Sequence, residues 1–111
     1  MKDTKIQRFN VELRLRPGLG LRGKNSHTLS LDSNSSTGHC WNVWEQNVPS
    51  IVDIKNRYIQ HKGPPGTGGT EEWTFIAIAI GDEVVRLAYA PEHDHNSENV
   101  QRWAEVNVKV V

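Results

Sequence analysis

The chain has 111 residues, in which 13 lysines and arginines balance 13 aspartates and glutamates. That length is one domain, with room for a core that needs neither metal nor disulfide. A formal charge of zero removes the electrostatic grip on nucleic acid or anionic membrane that a basic excess supplies, and no apolar run approaches the ~20 residues of a membrane-spanning helix. Cys40 is the single cysteine, so no internal disulfide can form. This fits a reducing compartment without requiring one. Met1-Lys2-Asp3-Thr4-Lys5 carries no apolar secretion signal. The expected compartment is therefore the cytoplasm, or the lysosome or exterior if a signal has been removed.

The dominant pattern along the chain is alternation with period two, the mark of half-buried strands. Phe9, Val11, Leu13 and Leu15 alternate with Arg8, Asn10, Glu12 and Arg14, until Arg16-Pro17-Gly18 breaks the run. Leu29 and Leu31 alternate with Thr28 and Ser30, and Trp41 and Val43 with Asn42 and Trp44. Val52, Ile54 and Tyr58 form a weaker series against Asp53, Lys55 and Arg57. The stretch 73–80 is apolar at both parities (Trp73, Phe75, Ile76, Ile78, Ile80), which predicts a central strand ending at a Gly81-Asp82 turn. Val85, Leu87 and Tyr89 follow, and the chain closes on Ala104, Val106, Val108 and Val110. Seven short strands in about 100 residues, with no helical stripe, predict an all-β, immunoglobulin-like sandwich in a single domain over residues 1–111. An open barrel is the competing architecture.

Three polar segments separate these strands: 33–38, 63–70 and 90–97. By count they follow strands two, four and six, so up-and-down connections would gather all three at one pole. Each has a simpler reading to defeat. Gly63-Pro64-Pro65-Gly66-Thr67-Gly68-Gly69-Thr70 approaches a phosphate-binding loop, but Gly69 stands where the lysine belongs and a strand pattern follows instead of a helix. His39 and Cys40 are strand neighbours pointing to opposite faces, so they make no nucleophile–base pair. Cys40 reads as a small core thiol beside Trp41. Glu92, His93, Asp94 and His95 lack a third ligand at a known metal spacing and read as a solvated loop. No cofactor and no catalytic residue is expected.

Taken together, the loops resemble the chagasin family of cysteine-peptidase inhibitors. The family's Asn-Pro-Thr-Thr-Gly loop, followed by an aromatic residue, is matched by Asn34-Ser35-Ser36-Thr37-Gly38 ahead of Trp41, with Ser35 in place of proline. Its Gly-x-Gly-Gly loop is matched in full by Gly66-Thr67-Gly68-Gly69. Its strand ending in Leu-x-Tyr corresponds to Leu87-Ala88-Tyr89. The Arg-Pro-Trp loop that comes next survives only as Pro91 within Ala90-Pro91-Glu92-His93, without the arginine or the tryptophan. The resemblance runs from about Ser26 to the C-terminus.

It implies a monomeric, reversible, tight-binding inhibitor of papain-like (cathepsin-type) cysteine peptidases, which inserts three loops from one end of the sandwich into the active-site cleft. Nucleic acid and membranes are not expected partners. Under this reading Thr37 bonds near the enzyme's catalytic pair, Asn34 braces its loop, and residues 66–69 lie along the cleft wall with their backbone paired to the enzyme's. Ala90, Pro91, Glu92 and His93 occupy the third contact. The competing reading is an immunoglobulin-like interaction or adhesion module with a non-peptidase partner, and it rests on the third loop's departure from the family.

Overall fold

The structure, a computed structural model, describes residues 5–16, 24–44, 49–92 and 96–111, with only the backbone at Ser35. Seven strands form: β1 (Lys5–Leu13), β2 (Ser26–Ser33), β3 (His39–Val43), β4 (Val52–Gln60), β5 (Gly69–Ala77), β6 (Gly81–Pro91) and β7 (Arg102–Val110). Short 3-10 turns stand at Ser35–Thr37 and Ser97–Asn99. One sheet has the order β1-β7-β6-β3 and the other β2-β5-β4. Every paired strand is antiparallel except β1, which runs parallel to β7 from Lys5 opposite Arg102 to Leu13 opposite Val110.

The alternation read from sequence is the one that builds the core. Val11, Leu13, Trp41, Val85, Leu87, Val106, Val108 and Val110 face inward from the larger sheet. Leu29, Leu31, Trp73, Phe75 and Ala77 face them from the smaller. The β-branched and aromatic character of these residues suits a pleated, half-buried surface. A smaller cluster on the outer face of the larger sheet joins Ala88, Ala90 and Val100 with Trp44 and Trp103, whose rings meet edge to face at 5.0 Å.

Three details differ from the sequence reading. β5 is strictly alternating and ends at Ala77, so the stretch 73–80 is not apolar on both faces of one strand. Instead the Ile78 and Ala79 amides both donate to the Ile51 carbonyl (2.9 and 3.2 Å), which turns the chain three residues early and leaves Ile78 and Ile80 exposed. Leu15 lies beyond the end of β1, though its side chain still packs on the core. Tyr58 shares the inward side of β4 with Val52 and Ile54, opposite Glu71, but from Lys55 onward the strand is exposed, so its ring covers Gly69 instead of joining the core.

Candidate functional site

β2, β4 and β6 all end at the same pole, and the connections that leave them are bonded to one another. The first, between β2 and β3, is organised by Asn34. Its Oδ1 accepts from the Ser36 amide (3.1 Å) and hydroxyl (2.6 Å), the local turn that asparagine favours. The Thr37 amide closes the 3-10 turn on the Asn34 carbonyl (3.2 Å), and the Thr37 hydroxyl donates to that same oxygen (2.8 Å). Gly38 leaves the turn at φ 77°, a conformation side chains resist. Ser35 sits within the 3-10 turn, and Ser36, Thr37 and Gly38 are exposed.

The second connection is a β4–β5 hairpin. Thr67 caps it by donating its amide (3.2 Å) and hydroxyl (2.6 Å) to the Pro64 carbonyl. Its glycines serve different ends. Gly66 (φ 89°) is exposed, and a Cβ there would meet nothing within 4 Å. Gly68 (φ 87°) is buried against Ser33 and Asn34, and its carbonyl accepts from the His61 amide (3.0 Å) and Gln60 Nε2 (2.9 Å). Gly69 is buried beneath the Tyr58 ring. Residues 66–69, expected to run along the cleft wall, therefore differ in what they present. The backbone of Gly68 is already bonded within the hairpin, and only Gly66 and Thr67 stand at the surface.

The third connection begins inside β6. Ala90 is buried in the outer cluster. Pro91 is half-buried, and Glu92 is exposed, with its amide donating to the Gly38 carbonyl (3.2 Å). His93 lies outside the described residues, as do Asp94 and His95. The Glu92–Gly38 bond ties the third connection to the first. Asn34 Nδ2 reaches the Gly66 carbonyl (3.1 Å) and ties the first to the second. Asn34 thus braces its own loop, as expected, and a neighbour as well.

Beneath the loops lies an aromatic stack that the sequence did not single out as functional. The Tyr89 hydroxyl accepts from the Asn34 amide at 2.9 Å. Arg102 places its guanidinium 4.4 Å from the Tyr89 ring centre and 5.4 Å from that of Trp41, an arrangement that favours a cation. Arg102 Nη2 and Trp41 Nε1 both donate to the Asp32 carbonyl (3.0 and 2.9 Å), so the end of β2 is held by the opposite sheet. The His39 ring stacks on Tyr89 at 5.6 Å, and its Nδ1 meets the Thr37 carbonyl at 3.1 Å. Tyr89 was legible within Leu87-Ala88-Tyr89; an isolated Arg102 in a sequence carries no such signal.

Cys40 is not the core thiol expected. It lies half-buried beside the outward-facing Asn42, which donates to its sulfur at 3.3 Å, while Trp41 takes the inward position. Partial burial pushes the thiol's pKa up, against the Asn42 hydrogen bond that lowers it, and the nearby Glu71 and Glu92 push it further in the same direction. A thiol so placed is held protonated, the opposite of an activated nucleophile. The pole has the makings of a binding surface: small exposed residues on a backbone fixed by internal hydrogen bonds.

Known proteins share both the sequence pattern and the fold of the chain. The sequence profile of the chagasin family peptidase inhibitors matches residues 20–108. The chain belongs to that family. Its members are peptidase inhibitors rather than enzymes. No curated protein sequence matches the chain. Among solved structures, the chagasin-type chain is similar to the cysteine protease inhibitor EhICP2 from Entamoeba histolytica, at 12% identity, a TM-score of 0.67 and 100% of each chain covered. It is similar also to PbICP-C, solved in complex with falcipain-2, at 11% identity and a TM-score of 0.67 over 100% of this chain and 93% of that one. Amebosin, solved in solution, matches at 17% identity and a TM-score of 0.66 over 97% and 98% of the two chains. At these identities the likeness is one of fold.

Proposed function

We propose that this chagasin-family chain inhibits papain-like cysteine peptidases reversibly, by seating its three-loop pole in the active-site cleft. The observation that carries the reading is the cross-bonded pole itself, where Asn34 Nδ2 and the Glu92 amide lock the three connections together. The exposed tip comprises Ser36, Thr37, Gly38, Gly66, Thr67 and Glu92, with Pro91 half-buried behind it. These side chains are mostly small enough for a narrow cleft. A surface ordered before binding loses little conformational freedom on docking, so an interface of about 800 Å² per partner can bind tightly. The EhICP2 and PbICP-C structures support the target class, the first as a cysteine protease inhibitor and the second through its complex with falcipain-2.

Roles within the pole follow from its bonding. The Thr37 hydroxyl donates its one hydrogen bond to the Asn34 carbonyl and accepts from the His39 amide, so Thr37 offers a partner its methyl group and a remaining lone pair. Gly38 and Gly66 let backbone come close to the cleft. The buried Gly68, Gly69 and Ala90 shape the loops without touching the enzyme. The adhesion-module reading draws on Glu92, which stands where the family's third loop carries its aromatic and basic anchors.

Titration of papain with the purified chain tests the proposal. Stoichiometric, reversible loss of activity is expected, and Thr37→Trp or Gly66→Glu should raise the inhibition constant at least about a hundredfold, as blocking an interface centre does, while both variants still unfold cooperatively. Unaltered inhibition by both folded variants would refute the loop-insertion reading.

A further inference from the structure

Among the described residues only two polar side chains are buried, Ser33 and Glu71, and they are bonded to each other. Glu71 occupies an inward position of β5, in line with Trp73, Phe75 and Ala77, and is 4% exposed. Burying a carboxyl group is costly unless its oxygens are satisfied, and no lysine or arginine is paired with this one among the described residues. An apolar side chain would fill the position at lower cost, so packing alone does not account for Glu71.

Its partners do. The Glu92–Gly38 and Trp44–Arg86 backbone bonds set the phase of the β3–β6 ladder. In that phase the Trp41 amide points away from β6, over the open edge of the sheet. Trp41 is 2% exposed, so the amide has no access to water and would be stranded. Glu71 Oε2 accepts it at 3.0 Å, and the same oxygen accepts the Ser33 hydroxyl at 2.6 Å. Ser33 is the last residue of β2 and Trp41 the third of β3, so one oxygen ties the entry of the 34–38 loop to its exit. That oxygen is carried by a strand that starts at Gly69, where the second loop ends.

We infer that Glu71 is a positioning residue for inhibition: it sets the span and pitch of the 34–38 loop against the 66–69 loop while remaining out of reach of the peptidase. This rests on the three-loop reading above. The test compares Glu71→Ala, Glu71→Gln and Ser33→Ala with the parent chain by two independent readouts. Amide exchange in the free protein, followed by NMR, needs no peptidase. In Glu71→Ala the Trp41 amide should exchange at least about tenfold faster, the range expected for loss of a hydrogen bond to a carboxylate. Shift changes should concentrate at residues 34–38 while Phe75 and Val106 keep their protection. Glu71→Gln retains an acceptor oxygen at the same reach and should restore most of the Trp41 protection.

Inhibition of papain is the second readout. Glu71→Ala should raise the inhibition constant about tenfold to a hundredfold, chiefly through faster dissociation, with the number of binding-competent molecules unchanged in a stoichiometric titration. Glu71→Gln should recover most of that loss, and Ser33→Ala should fall between. If Glu71→Ala matches the parent in both Trp41 exchange and inhibition, the inference is overturned. Should Glu71→Ala fail to fold, Ser33→Ala decides, because it keeps the carboxyl–Trp41 bond: unaltered shifts at 34–38 together with unaltered inhibition overturn the inference equally. A parent chain that leaves papain active at micromolar concentration would instead bring down the three-loop reading, while the exchange data still decide whether Glu71 orders the loop.

Discussion

The two ends of the sandwich are closed by different chemistry. At the loop pole, closure runs through side chains that cross from one sheet to the other. Tyr89, Trp41 and Arg102 hold Asp32 and Asn34 from one side, and Glu71 holds Trp41 from the other. At the far pole the bonds between the sheets run from the Arg14 amide to the Lys24 carbonyl (2.9 Å) and from Asn25 Nδ2 to the Arg14 and Leu15 carbonyls (3.3 and 3.2 Å), while Val111–Leu13 (2.8 Å) and Ile78–Ile51 (2.9 Å) each lie within one sheet. Glu83 adds a cap there by accepting the Ser50 amide at 3.0 Å. What the far pole exposes is apolar, with Ile78 at 55% and Ile80 at 68%. A pole whose loops are fixed by particular side chains can hold a defined shape for a partner, but it depends on each of those residues.

The sharpest way to break this comparison lies within one loop. At Gly69 an added Cβ would collide with the Ile59 carbonyl and lie 2.7 Å from the Tyr58 ring. Gly69→Ala should cost about 3 kcal/mol, as overpacking in a tight site does. At Gly66 there is open space and only the φ of 89° to resist the side chain, so Gly66→Ala should cost about 1 kcal/mol. Denaturant unfolding of both variants measures the gap. Equal losses would mean that the loop yields as a unit and that the Tyr58 contact fixes nothing.

A smaller effect is expected from Tyr89→Phe. It keeps the ring beneath His39 and Arg102 but leaves the half-buried Asn34 amide without its acceptor. A stability loss of about 1–2 kcal/mol should follow, with weaker inhibition of papain in the same titration. A stability loss with full inhibition would show that the Asn34 anchor serves the fold alone. The smallest effect belongs to the far pole. The pair Ile78→Ser and Ile80→Ser should move stability by no more than about 0.5 kcal/mol each and leave inhibition unchanged. Weakened inhibition by these variants would extend the working surface to an end where the comparison gives it no part.

Much of the fold could be read from the chain because it depends on local periodicity. Seven strands, their inward residues and the loops after β2, β4 and β6 all follow from alternation broken by glycine, proline and asparagine. The points that failed are those where neighbours in space override the local pattern. Ile78 and Ile80 continue an apolar run in sequence, yet the carbonyl of Ile51 draws the chain away before they can join β5. Cys40 looked like core because it adjoins Trp41, but only one of two adjacent strand residues can face inward. Gly68 and Gly69 read as part of an open loop, yet the structure buries them against Asn34 and Tyr58.

The sequence by itself determined the fold class, the family and the order of the loops, because strand periodicity and short motifs are properties of neighbouring residues. Only the tertiary structure decided which loop residues are exposed and which are buried. It also revealed that Tyr89, Arg102 and Glu71 bond to the segments flanking the first loop. Their partners lie 30 to 70 positions away in the chain, and hydrogen bonds of that kind exist only once the two sheets have closed on each other.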